Sequence, residues 1–264
     1  MNERRVLMEA VAEVAKRAGN VANRYFGSAL RIESKVDGSP VTIADRSAEE
    51  NARAWIQQRF PNDAVLGEEF GLHARAGVRR WIIDPIDGTK SFVRGVPLWG
   101  TLVAVAEGET VLAGAAYFPA IDEMLAAAPE LGCWWNGTRA NVSATSRVAD
   151  ATVLTTDERF RGSSEKRRDG WRALSEAAAV SRSWGDCYGY LLVATGRADV
   201  MTDGILADWD AAALLPAITE AGGVFTDWSG NTTAFGRCAI ATNRALAAEA
   251  RLLLGAVPGE GSTR

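Results

Sequence analysis

Two carboxylates, Asp84 and Asp87, stand three residues apart where a strand-like apolar run ends. Pro85 restricts the backbone between them, and Gly88 permits a sharp turn directly after them. The spacing predicts that both side chains converge at the carboxyl end of a strand, where open α/β folds place their sites. A helix that begins near Gly88 and Thr89 would direct free N–H groups at the same point, where they would bind phosphate.

Carboxylates that lie close together and away from water repel each other and resist the loss of hydration. They are tolerated when they are protonated, exposed or neutralised by a cation. An all-oxygen set suits a hard ion such as Mg²⁺. The alternative is a turn in which Asp84 and Asp87 only cap a helix, and the spacing alone leaves it open.

Further acidic residues stand at predicted strand ends and helix starts. Glu68 follows a short apolar run, Asp210 opens an alanine-rich helix, and Asp45 stands where a second helix is predicted to begin. Each alone fits a solvated loop or a helix cap, because Asp is a favoured N-cap residue. Together they exceed what capping needs, which favours a shared acidic site.

The elements that must position these acids follow from hydrophobic periodicity. Apolar residues recur at helical spacing from Val6 to Tyr25, and a second helix is predicted from Asp45 until Pro61. Strand-like runs follow, and the second half alternates strands with helices, including one from about Asp210 to Ala221. This order predicts a layered α+β fold.

The length of 264 residues is at the upper end of what one compact domain usually holds. No segment rich in proline, glycine or serine divides the chain, and no internal repeat is present. We predict a single unit over residues 1–264, with subdomains over about 1–140, which would bind metal, and 141–264, which would contribute the substrate side.

A net charge of −4 and a pI near 5.3 argue against a surface for nucleic acid or an anionic membrane. No apolar run approaches membrane-spanning length, and three scattered cysteines fit a reducing compartment, so we expect a cytoplasmic protein. The single histidine, His73, is predicted to lie in a surface loop. Chemistry must therefore come from carboxylates, hydroxyls, backbone groups and metal.

The hexapeptide DPIDGT at residues 84–89 resembles the signature of the inositol monophosphatase superfamily. Gly67-Glu68-Glu69 precedes it and Trp209-Asp210 follows it, in the family's order. The match extends from about Lys35 to Gly223. The resemblance implies a five-layered αβαβα sugar-phosphatase fold, a homodimer, and a phosphomonoesterase that uses two or three Mg²⁺ ions and metal-activated water.

The resemblance also implies the metal ligands. Glu68 and Asp84 would bind metal, with Asp84 bridging two ions, and the backbone carbonyl of Ile86 would complete the first site. Asp87 and Asp210 would hold the second ion.

Catalytic roles follow from the same resemblance. Glu68, Thr89 and Asp45 form the implied catalytic set, in which the Thr89 hydroxyl, partnered by Asp45, would orient the attacking water. The N–H groups of Gly88 and Thr89 would bind phosphate oxygens, and Lys35 would lie on a mobile loop near the site.

Two stretches, 91–101 and 182–190, resemble the histidinol-phosphatase branch of the superfamily more than the inositol branch. Asp186 stands where the inositol enzymes carry a small neutral residue, and Asp203 stands where they hold a sugar-binding acid. Two carboxylates suit a cationic alcohol, because a charge-assisted hydrogen bond is about twice as strong as a neutral one. The implied substrate-binding set is Asp87, Gly88, Thr89, Arg182, Gly185, Asp186, Asp203 and Asp210.

We therefore predict hydrolysis of L-histidinol phosphate, a step of histidine biosynthesis. An inositol-1-phosphate or broad sugar-phosphate phosphatase of the same family is the enzyme alternative, and Asp186 would then be a solvated helix cap. A catalytically silent regulatory protein that binds metal and phosphate is the alternative from another class. The intact acidic set counts against that alternative.

Overall fold

The computed structural model describes residues 3–28, 32–34, 40–75 and 77–257. Lys35 and the tail from Pro258 lie outside these ranges. In chain order the elements are α1 Glu3–Asn23, β1 Glu33–Ser34, β2 Pro40–Val41, α2 Ile43–Arg59, β3 Ala64–Gly67, β4 Gly71–His73, β5 Arg79–Asp87, α3 Thr89–Phe92, β6 Gly100–Glu107, β7 Thr110–Phe118, β8 Glu123–Ala128, β9 Gly132–Trp135, β10 Thr138–Arg139, β11 Thr152–Thr155, α4 Glu165–Ala177, β12 Val180–Arg182, α5 Asp186–Ala194, β13 Val200–Asp203, α6 Asp208–Ala211, α7 Leu214–Glu220, β14 Val224–Thr226, β15 Ala239–Thr242 and α8 Ala247–Leu253.

These elements stack as five layers. Helices α1 and α2 cover one face of an eight-stranded sheet of order β10-β9-β8-β7-β6-β5-β3-β4. Helices α5, α6 and α7 lie on its other face, and α5 and α7 also contact a five-stranded sheet of order β12-β11-β13-β15-β14. Helices α4 and α8 form the last layer. The predicted αβαβα arrangement is confirmed.

The strand that carries the DPIDGT segment lies deep in the first sheet. Strand β5 pairs with β3 in parallel and with β6 in antiparallel orientation. Ile82 packs in the apolar cluster between the two sheets, whereas Trp81 and Ile83 pack in the cluster beneath α1 and α2. Because both faces of β5 are covered, the position at which its carboxyl end meets the site is rigid.

The middle layer packs tightly against the first sheet. A Cβ atom at Gly114 of β7 would lie 2.6 Å from the carbonyl oxygen of Ala213, directly before α7. A glycine therefore allows the close approach of the two backbones. Since α6 immediately precedes this contact, the same packing fixes the helix that carries Asp210.

Several predicted boundaries need correction. Helix α2 begins at Ile43 with Thr42 as its N-cap, so Asp45 does not cap the helix by itself. Its carboxylate completes a capping box by accepting from the N–H of Thr42. The alanine-rich helix is divided into α6 and α7, because Pro216 has no N–H to donate to the carbonyl of Ala212.

Two further points concern surface features. His73 ends the edge strand β4 and is exposed, so its placement in a loop was wrong, although its exposure was predicted. Within the described ranges, no helix combines the length and apolarity that crossing a lipid bilayer would require. The sheets occupy residues 64–139 and 152–242, on either side of the proposed subdomain boundary near residue 140, and that division stays a prediction.

Candidate active site

A bulge in β5 aims its two aspartates at one point. In a regular strand, residues three positions apart face opposite sides of the sheet. Asp84 pairs with Leu102 of β6, whereas Asp87 pairs with Gly100, so β5 carries one more residue than β6 between these pairs. Such an insertion re-aims side chains. One ligand oxygen from each of Asp84 and Asp87 accordingly lies within 4.8 Å of the other.

The turn after β5 depends on Gly88, whose φ of 87° lies in the left-handed region that favours glycine. A Cβ atom there would lie 3.3 Å from Oδ2 of Asp186, so the turn and this carboxylate are in close contact. The Ile86 N–H donates to Oδ1 of Asp84 at 3.0 Å, and the Thr89 hydroxyl donates to the Ile86 carbonyl at 3.0 Å. These bonds hold the Asp84 carboxylate and the Thr89 hydroxyl beside the same backbone turn.

Acidic side chains from two other segments join this turn. Asp210 lies on α6, where its Oδ2 accepts from the N–H of Ala207 at 2.8 Å. A ligand oxygen of Asp210 lies within 4.8 Å of those of Asp84 and Asp87. Glu68, on the turn between β3 and β4, lines the same cavity. The structure therefore brings together acids from three distant stretches of the chain.

Burial and mutual repulsion raise the pKa values of these carboxyl groups. Burial, followed by the charges of Glu68 and Asp87, raises the pKa of Asp84 well above its ordinary value. Burial, followed by the charge of Asp186, does the same to the pKa of Asp87. The pKa of Asp210 is raised to about 7, chiefly by burial. A cation among these groups would remove most of this repulsion.

The donor set fits a hard divalent cation. Asp84, Asp87 and Asp210 each offer one carboxylate oxygen, and these oxygens lie within one small volume. Asp84 is only 2% exposed, so its charge is poorly compensated by water. Carboxylate oxygens are the preferred ligands of Mg²⁺, Ca²⁺ and Mn²⁺. This cluster could therefore bind a metal ion.

The acidic cluster forms one wall of a cavity of about 500 Å³. That volume is sufficient for a small phosphorylated metabolite. The lining residues are Glu68, Asp84, Ile86, Asp87, Gly88, Thr89, Lys90, Asp186, Ile205, Leu206, Ala207, Asp208, Trp209, Asp210 and Arg237. Every predicted metal ligand is among them.

Asp186, a predicted substrate residue from the second half of the chain, also lines this cavity. Gly185 lies so close to Thr156 that a Cβ atom would be 2.2 Å from the Thr156 Cα. This contact lets the Asp186 N–H donate to Oγ1 of Thr156 at 2.7 Å. Burial, followed by the charges of Asp203 and Asp210, raises the pKa of Asp186 to about 7.

Asp203 and Arg182 do not line the cavity. Asp203 is 4% exposed, and its two carboxylate oxygens accept from the N–H of Thr156 and from the hydroxyl of Tyr190, each at 3.0 Å. Arg182 lies exposed at the end of strand β12, where its guanidinium donates to the carbonyl of Ser181. Asp203 thus supports the wall behind Asp186, whereas Arg182 lies away from the acidic cluster.

Asp45 is buried, and the charge of Glu68 acts on it. Its Oδ2 accepts from the N–H and hydroxyl of Thr42, whereas its Oδ1 has no hydrogen-bond partner among the residues that the structure describes. Burial is the main cause of its raised pKa, and the charge of Glu68 contributes. Because the Thr89 hydroxyl donates to Ile86, the implied pairing of Thr89 with Asp45 stays a prediction.

The sequence reasoning did not identify the two basic residues that line the cavity, Lys90 and Arg237. Both are exposed at its rim. Lys90 directly follows the hexapeptide, and that adjacency was a usable signal. Arg237 lies in an irregular segment with a φ of 58°, and no periodic pattern points to it.

The family model for the inositol monophosphatase family matches residues 3–257. The chain belongs to this family. Its predicted enzyme class, a phosphoric monoester hydrolase, and its predicted family fold are thereby confirmed. The family is metal-dependent, in agreement with the acidic cluster.

Individual relatives agree with this family. The chain is 42% identical over 224 residues to a protein named histidinol-phosphatase from Chlorobaculum parvum. The aligned region covers 84% of this chain and 86% of that protein. It is 32% identical over 232 residues to an inositol-1-monophosphatase of Rhizobium meliloti, covering 86% and 87%. The solved structure of extragenic suppressor protein suhB from Bartonella henselae has a TM-score of 0.88 at 28% identity and covers 94% of this chain and 98% of that one.

In the metal-free protein, Asp84→Asn is expected to increase the free energy of unfolding. Folding raises the pKa of the Asp84 carboxyl, so its protonated form stabilises the folded state. This stabilisation is complete below the unfolded pKa, near 3.8, and is lost as pH rises through the folded pKa. Replacing it with a neutral amide should add at least about 1 kcal/mol at pH 8. Urea unfolding in EDTA at pH 8 and pH 5 measures this gain, which should be smaller at pH 5.

The control is Asp169→Asn, which alters an exposed carboxylate beside Arg172. It should change the free energy of unfolding by less than about 0.5 kcal/mol at both pH values. A destabilised Asp84→Asn variant in EDTA at pH 8 would show that the cluster is not under electrostatic strain.

Proposed function

We propose that this protein is a Mg²⁺-dependent phosphatase that hydrolyses L-histidinol phosphate to L-histidinol and phosphate, a step of histidine biosynthesis. The observation that carries the proposal is the position of Asp186. The carboxylate of Asp186 comes from another layer of the fold and faces the phosphatase hexapeptide. A cationic leaving group would lie at this position.

The metal ligands proposed are Glu68, Asp84, Asp87 and Asp210, with the Ile86 carbonyl. The geometry supports each assignment, because all five groups line one cavity. The carbonyl oxygen of Ile86 accepts a hydrogen bond from the Thr89 hydroxyl, and a carbonyl oxygen has a second lone pair that can face a cation. When two or three Mg²⁺ ions are bound, they neutralise phosphate charge and make a nucleophile available at neutral pH without a histidine base.

The hexapeptide turn would orient the phosphate and the attacking water. The proton of the Thr89 hydroxyl is donated to the Ile86 carbonyl, so the hydroxyl oxygen can accept a hydrogen bond from water. The N–H groups of Gly88 and Thr89 would donate to phosphate oxygens from the same turn. Asp45, whose Oδ1 has no hydrogen-bond partner within the described ranges, would assist in holding the water.

Asp186 would select the alcohol. Histidinol carries an ammonium group and an imidazole, and a carboxylate binds such a cation more strongly than it binds a neutral hydroxyl. The pKa of Asp186, raised to about 7 by burial and by Asp203 and Asp210, would fall when a cation arrives. Gly185 permits this placement, and Asp203 would act by supporting the wall rather than by direct contact.

The similarity to a named histidinol-phosphatase at 42% identity, against 32% for a named inositol-1-monophosphatase, favours this substrate. Inositol-1-phosphate or a broad range of sugar phosphates is the second candidate. A neutral ring would bring no counter-charge to Asp186, where, among the residues that the structure describes, only the charge of Lys90 opposes the effect of burial. A charge held away from water without a counter-charge is unfavourable, so the placement of Asp186 is the observation against the second candidate.

Two further properties belong to the proposal. We expect a cytoplasmic homodimer. The three cysteines Cys133, Cys187 and Cys238 are free and buried, which agrees with a reducing compartment.

The substrate assignment is tested by phosphate release from L-histidinol phosphate and from myo-inositol 1-phosphate at equal concentrations with Mg²⁺. We expect kcat/KM to be at least about tenfold higher for histidinol phosphate, which corresponds to one charge-assisted hydrogen bond. EDTA should abolish both activities. Preference for inositol 1-phosphate would exclude the proposed substrate, and full activity in EDTA would exclude the metal.

Asp186→Asn tests the residue that carries this selectivity. The variant keeps the size of the side chain and removes its charge, so KM for histidinol phosphate should rise about tenfold or more. For glycerol 2-phosphate, whose alcohol part is neutral, KM should stay within twofold of the wild-type value. An equal rise for both esters would assign Asp186 a structural role.

A further inference from the structure

A buried carboxylate outside the cavity lies directly behind the turn that carries Glu68. Glu49, on helix α2, is 0% exposed and is not among the residues that line the cavity. A charged group buried to this degree requires partners that compensate for its lost hydration. Its partners show which part of the molecule it holds.

Glu49 and Arg53 form an ion pair one helical turn apart. The Arg53 Nε lies 2.7 Å from Oε1 of Glu49, and the arginine side chain is only 12% exposed. The remaining hydrogen bonds of both side chains go to the strand-turn-strand unit formed by β3 and β4. The pair therefore links helix α2 to this unit.

Four backbone groups around the turn are bound by the pair. Oε2 of Glu49 accepts from the N–H of Glu69 at 2.8 Å, and Oε1 accepts from the N–H of Phe70 at 3.3 Å. Arg53 donates to the carbonyl of Gly71 at 2.5 Å and to that of Val65 at 3.4 Å. The carboxylate thus binds the turn's donors, and the guanidinium binds acceptors on either side of it.

Gly67 makes this contact possible. A Cβ atom at residue 67 would lie 2.0 Å from Oε1 of Glu49, so any other residue would displace the carboxylate. Gly67 immediately precedes Glu68, whose own N–H donates to the carbonyl of Ile83 in β5 at 3.2 Å. The backbone of Glu68 is therefore held by β5 on one side and by Glu49 through the next two residues.

This support matters because β4 is a three-residue edge strand. A short edge strand has few ladder hydrogen bonds of its own, so its turn would be loosely held without outside contacts. From this turn the Glu68 side chain has to reach the cavity that Asp84 also lines.

We propose that the Glu49–Arg53 pair is a positioning device for the cation site, which holds the β3–β4 turn so that Glu68 reaches the ion beside Asp84. The proposal rests on the proposed function in one respect, the role of Glu68 as a metal ligand. Residues that orient a metal ligand typically contribute about 10- to 100-fold to metal affinity.

The ion pair between Asp63 and Arg79 provides a matched control. Asp63 is also buried, lies 3.2 Å from Arg79 and accepts from the indole N–H of Trp81 at 3.1 Å. It lies at the opposite end of β3 from Glu68. Asp63→Asn and Glu49→Gln should both lower the midpoint of thermal unfolding, but only Glu49→Gln should weaken metal binding.

The experiment is calorimetric titration of Mg²⁺ into the EDTA-treated full-length protein, without substrate. Glu49→Gln should raise the half-saturating Mg²⁺ concentration about tenfold or more. The NH₂ group of the glutamine would face a backbone N–H of the turn, and two donors cannot form a hydrogen bond with each other. Asp63→Asn should stay within twofold of the wild-type value. If Glu49→Gln does not fold, Arg53→Lys gives the same test, since lysine keeps the charge but cannot bind both carbonyls as arginine does.

A second arm separates positioning from general loosening of the structure. In a Glu68→Gln background, Glu49→Gln should cause no further loss of Mg²⁺ affinity, because both changes act on the same ligand. Additive losses, an equal effect of Asp63→Asn, or unchanged binding in Glu49→Gln would each overturn the proposal. If the wild-type protein binds no Mg²⁺, the proposed function fails as well, whereas a failure confined to the Glu49 variants leaves it intact.

Discussion

Repulsion among closely spaced carboxylates is the interaction on which the rest of this structure depends. Asp84, Asp87 and Asp210 place their oxygens within 4.8 Å of one another, and Asp84 is buried while the other two are partly buried. Such an arrangement opposes folding unless protons or a cation neutralise it. The raised pKa values of these groups record that penalty. Binding of a divalent cation among these groups would relieve this unfavourable electrostatic energy.

Three of the five layers of the fold contribute parts of the arrangement. The bulge in β5 turns Asp84 and Asp87 towards the same point, and the middle layer brings Asp210 and Asp186 to it. Helix α2, on the far side of the sheet, reaches the turn of Glu68 through a buried ion pair. Glu68, Asp84 and Asp87 thus come from the first half of the chain, and Asp186 and Asp210 come from the second half.

Hydrophobic periodicity predicted most elements and their layered order, because long amphipathic helices and buried strands have clear patterns. The convergence of Asp84 with Asp87 was also predictable, because a strand followed by proline and glycine leaves the backbone few conformations. The start of α2 was misplaced because Asp45 fits a cap as well as Thr42 does, and only the hydrogen bonds distinguish them. The hydrogen bond between Asp203 and Tyr190 and the position of Arg237 at the cavity depend on tertiary contacts that local sequence does not encode.

Anomalous diffraction from crystals soaked in Mn²⁺ tests the central claim most directly. Mn²⁺ accepts the same oxygen ligands as Mg²⁺ and can be located by its own signal. The account predicts an anomalous peak within about 2.5 Å of oxygens from Asp84, Asp87 and Asp210, with Glu68 oriented towards the cluster. A fully soaked crystal with no peak among these carboxylates, or with peaks only elsewhere on the surface, would contradict it.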